Sequence, residues 1–509
     1  MAKKLPIFYS ALLLTAVNLL LRLVGTSFQV FLSGRIGAEG IGLLQLVMSV
    51  GSMASVAGMA GIRTATMYLT AEETGRRKFQ NVTWVLSGCV LYSILCSAAV
   101  AATVYIFAPW IAENWIGTPE TVDCLRLFAA FLPVNCLTGV MVGYFTGANR
   151  IGTLAVVEVA EQFCCMVSTV VLLTLWAGHD SVRSCQAVVL GNSIGACMPL
   201  ISLILLRLLE NPVTGRRIPI ARRLGQTAVP LALADDLRTG ISTVENLMVP
   251  KRLALYAGEL SPLAAYGTVC GMVFPVLTFP TAILFGLTEL LVPELARCRA
   301  AGSEIRIRYL VRKSLRVALI YGSICGGILF LCADELCGSL YGSAAAGRYL
   351  RMFSVLAILL YCDNVTDAMI KGLGQQKHSV RYNIFTNAMD ITFLYILLPK
   401  YGMEGYFISF LVTHVINFGL SIGRLLKITG IRIPFRTAPL ALACAVTAVW
   451  CAHFATAPAA RAAAYTTILL CLLYLCGILR KADLHWLRGL IRVRKVTYHT
   501  ANGSGRNEN

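Results

Sequence analysis

Charge is scarce in this chain: Asp, Glu, Lys and Arg make up 14% of its 509 residues, against about 25% in soluble domains. That scarcity excludes a soluble enzyme, a disordered chain and a fibrous repeat. No G-x-x-x-x-G-K-[ST] occurs, so there is no ATP site of the Walker type. H-E-x-x-H is missing too, and the carboxylates form no paired catalytic arrangement. The chain therefore reads as a non-enzyme without an organic cofactor. Whatever work it does draws on an ion gradient or on the ligand's own gradient. The 18 cysteines contain no C-x-x-C and no Cys/His zinc spacing, so they read as small apolar filler.

What is abundant is hydrocarbon. Apolar residues are 57% of the chain and mean hydropathy is +0.71. A bilayer core needs about 20 apolar residues per helix. Apolar stretches of that length recur from 6–34 to 462–479, which predicts an all-α polytopic membrane protein of about 14 transmembrane helices. The first run, Met1 to Arg22, is too long for a signal peptide and no A-x-A site follows, so it reads as a retained helix.

The net charge of +19 suggests a nucleic-acid partner until its placement is traced. Lys and Arg gather in alternate connections: Arg76-Arg77-Lys78, the 207–223 segment, the stretch from Arg297 to Lys313, and the tail from Arg480. That is the positive-inside pattern. It predicts both termini in the cytoplasm, a bacterial cytoplasmic membrane, attraction to anionic lipids and no nucleic acid. Beyond 482, Leu484, Leu487, Leu490 and Ile491 oppose Arg488, Arg492, Arg494 and Lys495, as in a basic interfacial helix. From Thr500 the composition predicts a disordered tail.

Two halves show a faint duplication. Arg22 and Arg238 lie midway along the first and seventh spans, Glu39 and Glu259 follow in outer loops, and Gly147 and Gly374 end the fourth and tenth spans. Each pair is about 220 residues apart, as in parallel repeats. The expected organisation is an N-terminal lobe (1–206), a cytoplasmic linker (207–223), a C-terminal lobe (224–427), two extra spans (428–481) and the 482–509 tail. Each lobe has six helices.

Several motifs then coincide. They are Arg35-Ile36-Gly37-Ala38-Glu39-Gly40-Ile41-Gly42-Leu43, the GYFTGANRIGTLAVVEVAEQF run from Gly143, Glu245-Asn246 with Pro250-Lys251-Arg252-Leu253, GMVFPVLTFP from Gly271, and Lys371-Gly372-Leu373-Gly374. In this order they resemble the multidrug/oligosaccharidyl-lipid/polysaccharide (MOP) exporter superfamily, nearest the stage V sporulation protein B group and MurJ-type lipid II flippases. The resemblance implies two six-helix lobes around a central cavity that opens to alternate sides. It also implies a polyprenyl-diphosphate-linked saccharide as cargo and a sodium site between spans 7 and 11.

Buried charges are the functional candidates, since one near mid-bilayer costs about 2.5–3.5 kcal/mol. Arg22, Arg63 and Arg238 are the cations to explain. Guanidinium forks pair bidentately with phosphate oxygens, so these three could grip a diphosphate. The structural alternative is an ion pair with Asp235, Asp236 or Glu161. Asn383, Asn387 and Asp390 share one face of span 11 at i, i+4, i+7. With Asp235 and Asp236 they could bind Na+ or carry H+. The specific sodium set is Asp235, Asn387 and Asp390, and the alternative is a polar helix contact. Pro275 and Pro280 should bend span 8 as a hinge, while Glu161 serves gating or a helix end.

These readings converge on a lipid-linked oligosaccharide flippase of undetermined oligomeric state. Its rivals are a cation-coupled multidrug exporter, holding an amphipathic cation at Asp235, Asp236 and Asp367, and a non-transporting scaffold for cell-wall synthesis.

Overall fold

A computed structural model describes residues 7–76, 79–178, 180–209, 220–258, 261–431, 437–455 and 457–479. The centre of the expected 207–223 linker and the whole 482–509 tail lie outside these residues. Among the described residues all regular structure is helical.

Two helices are far too long for one crossing. Helix α1 (Ile7–Met59) has 53 residues, which at about 1.5 Å each is more than twice a bilayer core. It reverses at Gly37, where φ is +79°. Gln29 and Ile41, on opposite sides of that turn, both reach Gly271, so the two legs lie side by side. A second reversal at Gly402 (φ +58°), inside what is labelled α15 below (Gln376–Thr429), does the same. Glycine meets the positive φ at both turns without a Cβ penalty.

Helix α2 (Ile62–Gly75) continues the second leg of α1 after a break at Ala60 (φ +42°) and Gly61 (φ +71°). It packs with α3 (Phe79–Ile111) and α4 (Val122–Gly147); α4 in turn meets α5 (Ile151–Leu172) and α6 (Ser181–Leu208). Helix α7 (Ala221–Leu253) lies against α1 and α2 on one side and α15 on the other.

The eighth span is a chain of short pieces. They are α8 (Pro262–Gly267), a π-helical stretch (Thr268–Val273), α9 (Phe274–Thr278) and α10 (Thr281–Ala300), with a 55° bend before α10. Helix α11 (Glu304–Leu331) follows, then α12 (Ala333–Tyr341), then α13 (Ala344–Ser354) and α14 (Ala357–Gly372), the last two bent by 56°. Helix α15 completes this group. Phe274, Phe353, Tyr406 and Phe410 join α9, α13 and α15 in one aromatic cluster, with Phe274 5.4 Å from both Phe353 and Phe410.

The final helices, α16 (Thr437–Ala452) and α17 (Pro458–Leu475), pack on each other and on α11. Tyr465 donates its hydroxyl to the Ser323 carbonyl at 2.6 Å. Arg461 reaches the Leu331 carbonyl (3.1 Å) and Glu335 (2.7 Å). Both helices are thus docked on α11.

Among the described residues, eight helices are long and apolar enough to cross a membrane, or ten with each bent pair counted once. Helix α7, carrying Asp235, Asp236, Arg238 and Glu245, is not among them.

Candidate functional site

The eighth span is broken where its prolines fall, and its freed carbonyls are met by other helices. Pro275 has no N–H for the carbonyl four residues back. That carbonyl, of Gly271, accepts from Gln29 Nε2 at 3.3 Å. Past Pro280 the ladder shortens: the Ala282 N–H bonds the Phe279 carbonyl rather than that of Thr278. Thr278 instead accepts from Arg22 Nη2 at 3.1 Å and from Thr281 Oγ1 at 2.6 Å. Tyr361 and Tyr321 donate to the carbonyls of Leu277 and Pro280, each at 2.8 Å, and their rings stack at 6.0 Å.

Arg22 is therefore no isolated cation. Its guanidinium bonds one carbonyl and lies 5.0 Å from the Phe285 ring centroid. The alternative of an ion pair with Asp235, Asp236 or Glu161 is replaced by this carbonyl contact. A guanidinium has five N–H donors, and the carbonyl uses one. Gln29 and Arg22, two turns apart on α1, both hold the broken span.

A second polar site lies between α7 and α15. Asp390 is buried. Its Oδ1 accepts from Ser409 Oγ at 2.5 Å and Thr413 Oγ1 at 3.2 Å. Those hydroxyls sit on the far leg of α15, brought back by the Gly402 reversal. Glu245 of α7 faces Asp390, carboxyl to carboxyl. The neighbours of Asp390 thus differ from the expected set. Asp235 precedes Glu245 by ten residues, about 15 Å along the helix axis, so it is not brought to Asp390. Asn387 and Asn383 are half-buried, and no hydrogen bond links either to Asp390 among the described residues. The gathered groups are Glu245, Asp390, Ser409 and Thr413. Sequence spacing on one helix face could not find the two hydroxyls, because they depend on the hairpin.

The remaining candidates sit on α2, α5 and α7. Arg63 is exposed in the first turn of α2, directly after the Ala60–Gly61 break. Tyr92 donates to the Ala60 carbonyl at 3.4 Å. Glu161 is half-buried, within electrostatic reach of Arg63 and Glu158. Asp235 and Arg238 are exposed on α7. Asp236 is half-buried, and its Oδ1 meets no donor among the described residues. Helices α2 and α7 touch at Gly61, where a Cβ would come within 2.4 Å of the Ala228 carbonyl.

At the basic end of the same two helices Arg223 bridges Glu72 (2.7 Å) and the buried Glu73 (2.8 Å). Asn81 also donates to Glu73 at 2.8 Å. This cluster was not singled out from the sequence, where Glu72 and Glu73 lie far from Arg223. Elsewhere, α11, the α13–α14 bend, α16 and α17 line an open apolar cavity of about 190 Å3. Among the described residues no three His, Cys, Asp or Glu gather as a metal cluster would require.

Comparison with known proteins agrees with this architecture. Residues 14–172 match the MatE family model. The chain is 23% identical over 407 residues to stage V sporulation protein B of Bacillus subtilis (strain 168), covering 77% of this chain and 78% of the relative. It is 20% identical over 279 residues to sporulation protein YkvU of the same organism, covering 52% and 61%. The fold matches the lipid II flippase MurJ in an inward closed conformation, with TM-score 0.67, 13% identity, 94% of this chain and 100% of the other. It also matches an inward-facing multidrug resistance MATE family transporter of the MOP superfamily, with TM-score 0.64, 16% identity, 82% of this chain and 100% of the other. The chain is thus a multi-pass membrane protein whose residues 14–172 match the MatE family model, similar in sequence to stage V sporulation protein B and sharing the fold of the MurJ and MATE structures.

Proposed function

We propose that this MOP-superfamily transporter is a flippase for a polyprenyl-diphosphate-linked saccharide. Its place is the cytoplasmic membrane of a bacterium, with the basic face inside. The observation that carries the reading is the set of guanidinium groups on α1, α2 and α7, with α7 packed on both of the others. Arg22 has donors to spare beyond its carbonyl. Arg63 stands at the start of α2, where unfilled backbone amides and the helix dipole favour an anion. Arg238 is exposed on α7. A diphosphate suits forked donors of this kind, and the prenyl chain would stay in lipid while the headgroup crosses. The named likeness to a lipid II flippase supports the same cargo class.

Coupling to Na+ or H+ is assigned to Glu245, Asp390, Ser409 and Thr413. Two facing carboxyl groups in a low-dielectric site need a cation or a proton between them. Asp390→Asn and Glu245→Gln should therefore abolish the dependence of transport on Na+ or on pH. Asp235→Asn should leave it intact. Wild-type ion dependence in both Asp390→Asn and Glu245→Gln would remove the coupling role.

A second reading, export of an amphipathic cation, is favoured by Asp236, whose unmatched buried oxygen could face a cationic drug. Reconstituted vesicles decide between them. Translocation of lipid II or another polyprenyl-linked sugar, without efflux of lipophilic cations, supports the flippase. Efflux without lipid translocation overturns it.

A further inference from the structure

Eighteen cysteines read from the sequence as inert filler, but the fold brings two of them together at the end of the final helical pair. Cys444 of α16 and Cys476, the residue that caps α17, have their sulfur atoms 3.6 Å apart. Cys444 is buried and Cys476 is exposed. The sequence turns basic at Arg480-Lys481, four residues on, which places Cys476 at headgroup level, where a water-borne oxidant can arrive. An accessible thiol poised beside a second, sheltered thiol is the arrangement of a peroxide-responsive pair. Cys451 and Cys471, exposed on the same two helices, have no such neighbour among the described contacts.

We infer that Cys444 and Cys476 form a reversible disulfide on exposure to a hydroperoxide, with Cys476 as the attacking thiol and Cys444 as the resolving one. In the first step the Cys476 sulfur attacks the peroxide O–O bond. It takes one hydroxyl as a sulfenic acid, and its proton leaves with the other oxygen as an alcohol, or as water from hydrogen peroxide. In the second step the Cys444 sulfur displaces that hydroxyl, which departs with the Cys444 proton as water. One S–S bond forms, two thiols lose two electrons in all, and one peroxide O–O bond is reduced. The sulfurs must close from contact to about 2.05 Å, a motion of two side chains on adjoining helices.

The bond would staple α16 to α17 beside Ala445, which lines the apolar cavity against α11. Because α17 is already tied to α11 by Tyr465 and Arg461, oxidation would fix that wall of the cavity.

The test uses the full-length protein in detergent, exposed to hydrogen peroxide, alkylated, digested and read by mass spectrometry. The expected result is joined peptides carrying residues 444 and 476, lighter by two hydrogens and restored by dithiothreitol. Cys476→Ser, at an exposed position, should leave Cys444 fully alkylatable after the same treatment. Cys444→Ser should leave Cys476 as a sulfenic acid captured by dimedone. The inference fails if wild-type Cys476 goes on to sulfinic acid while Cys444 stays free. It also fails if Cys444 oxidises equally in the Cys476→Ser protein.

Discussion

At the scale of single residues, Arg22 caps a carbonyl in the broken eighth span, and the proposed function gives its remaining donors to an anion. Substitutions separate the two. Arg22→Ala removes both, and hydrogen bonds to charged groups contribute about 1.5–3 kcal/mol. Affinity for the lipid-linked sugar should then fall roughly ten- to hundred-fold per folded molecule. Arg22→Lys keeps the charge without the planar fork and should fall between. Tyr361→Phe deletes the neighbouring cap on Leu277 and leaves all charge in place. It should cost about 1 kcal/mol of stability and leave affinity unchanged. Equilibrium binding on monodisperse detergent-purified variants checks all three. Wild-type affinity in Arg22→Ala would leave Arg22 a purely structural cap.

Arg22 stood out in the sequence because a charge in an apolar run is conspicuous. Its partner did not, because a backbone carbonyl has no sequence signature until a proline frees it. The same holds for Asp390. Its helix face was legible from the i, i+4, i+7 spacing with Asn383 and Asn387. Its true partners, Ser409 and Thr413, lie across a reversal at Gly402 that hydropathy reads only as a gap between two spans. Glu245 entered only through a motif resemblance, and Asp235 was preferred although ten residues of helix separate it from the site.

At the scale of elements, the seam between α2 and α7 is packed by an apolar cluster and bridged by one arginine. Arg223 links Glu72 and Glu73 across it, and Glu73 is 2% exposed. Exposed pairs contribute about 0.2–1 kcal/mol, but a buried carboxylate left without its partner costs more. Arg223→Ala should therefore loosen the seam by roughly 1.4 kcal/mol, about tenfold in opening. Native Cys89 reports this directly, since it is buried in the same cluster as Ile62, Ile220, Leu224 and Ala228. Maleimide should modify Cys89 about tenfold faster in Arg223→Ala than in wild type, and an unchanged rate would detach the ion pairs from seam closure. The breaks that shape these elements were unevenly legible. Pro275 and Pro280 announced the bend of the eighth span. Breaks at Ala60–Gly61 and between α13 and α14 involve no proline, and the first is met by the hydroxyl of Tyr92 from α3.

For the whole molecule, the direction of transport rests on which face is cytoplasmic. Arg76 and Arg223 both pair with Glu72, and Arg207 reaches Thr83 near the start of α3, so these described basic residues share one end with the Arg223 seam. If that face is inside, the seam must open for a headgroup to enter from the cytoplasm. The reversals at Gly37 and Gly402 and the 251–258 connection then belong outside. A cysteine at 215, in the basic connection, and one in the 251–258 connection test this with an impermeant thiol reagent, after the exposed Cys451, Cys471 and Cys476 are changed to Ser. Gly258 is a poor outer site, because a Cβ there would lie 2.6 Å from the Tyr256 ring. Ala257 is exposed, so Ala257→Cys is the better reporter. Intact cells should label Ala257→Cys and spare Gly215→Cys, and permeabilised cells should label both. The reverse pattern would put the basic face outside. It would defeat the positive-inside assignment and make Arg223 an outer closure, so that cargo admitted through the α2–α7 seam would travel inward.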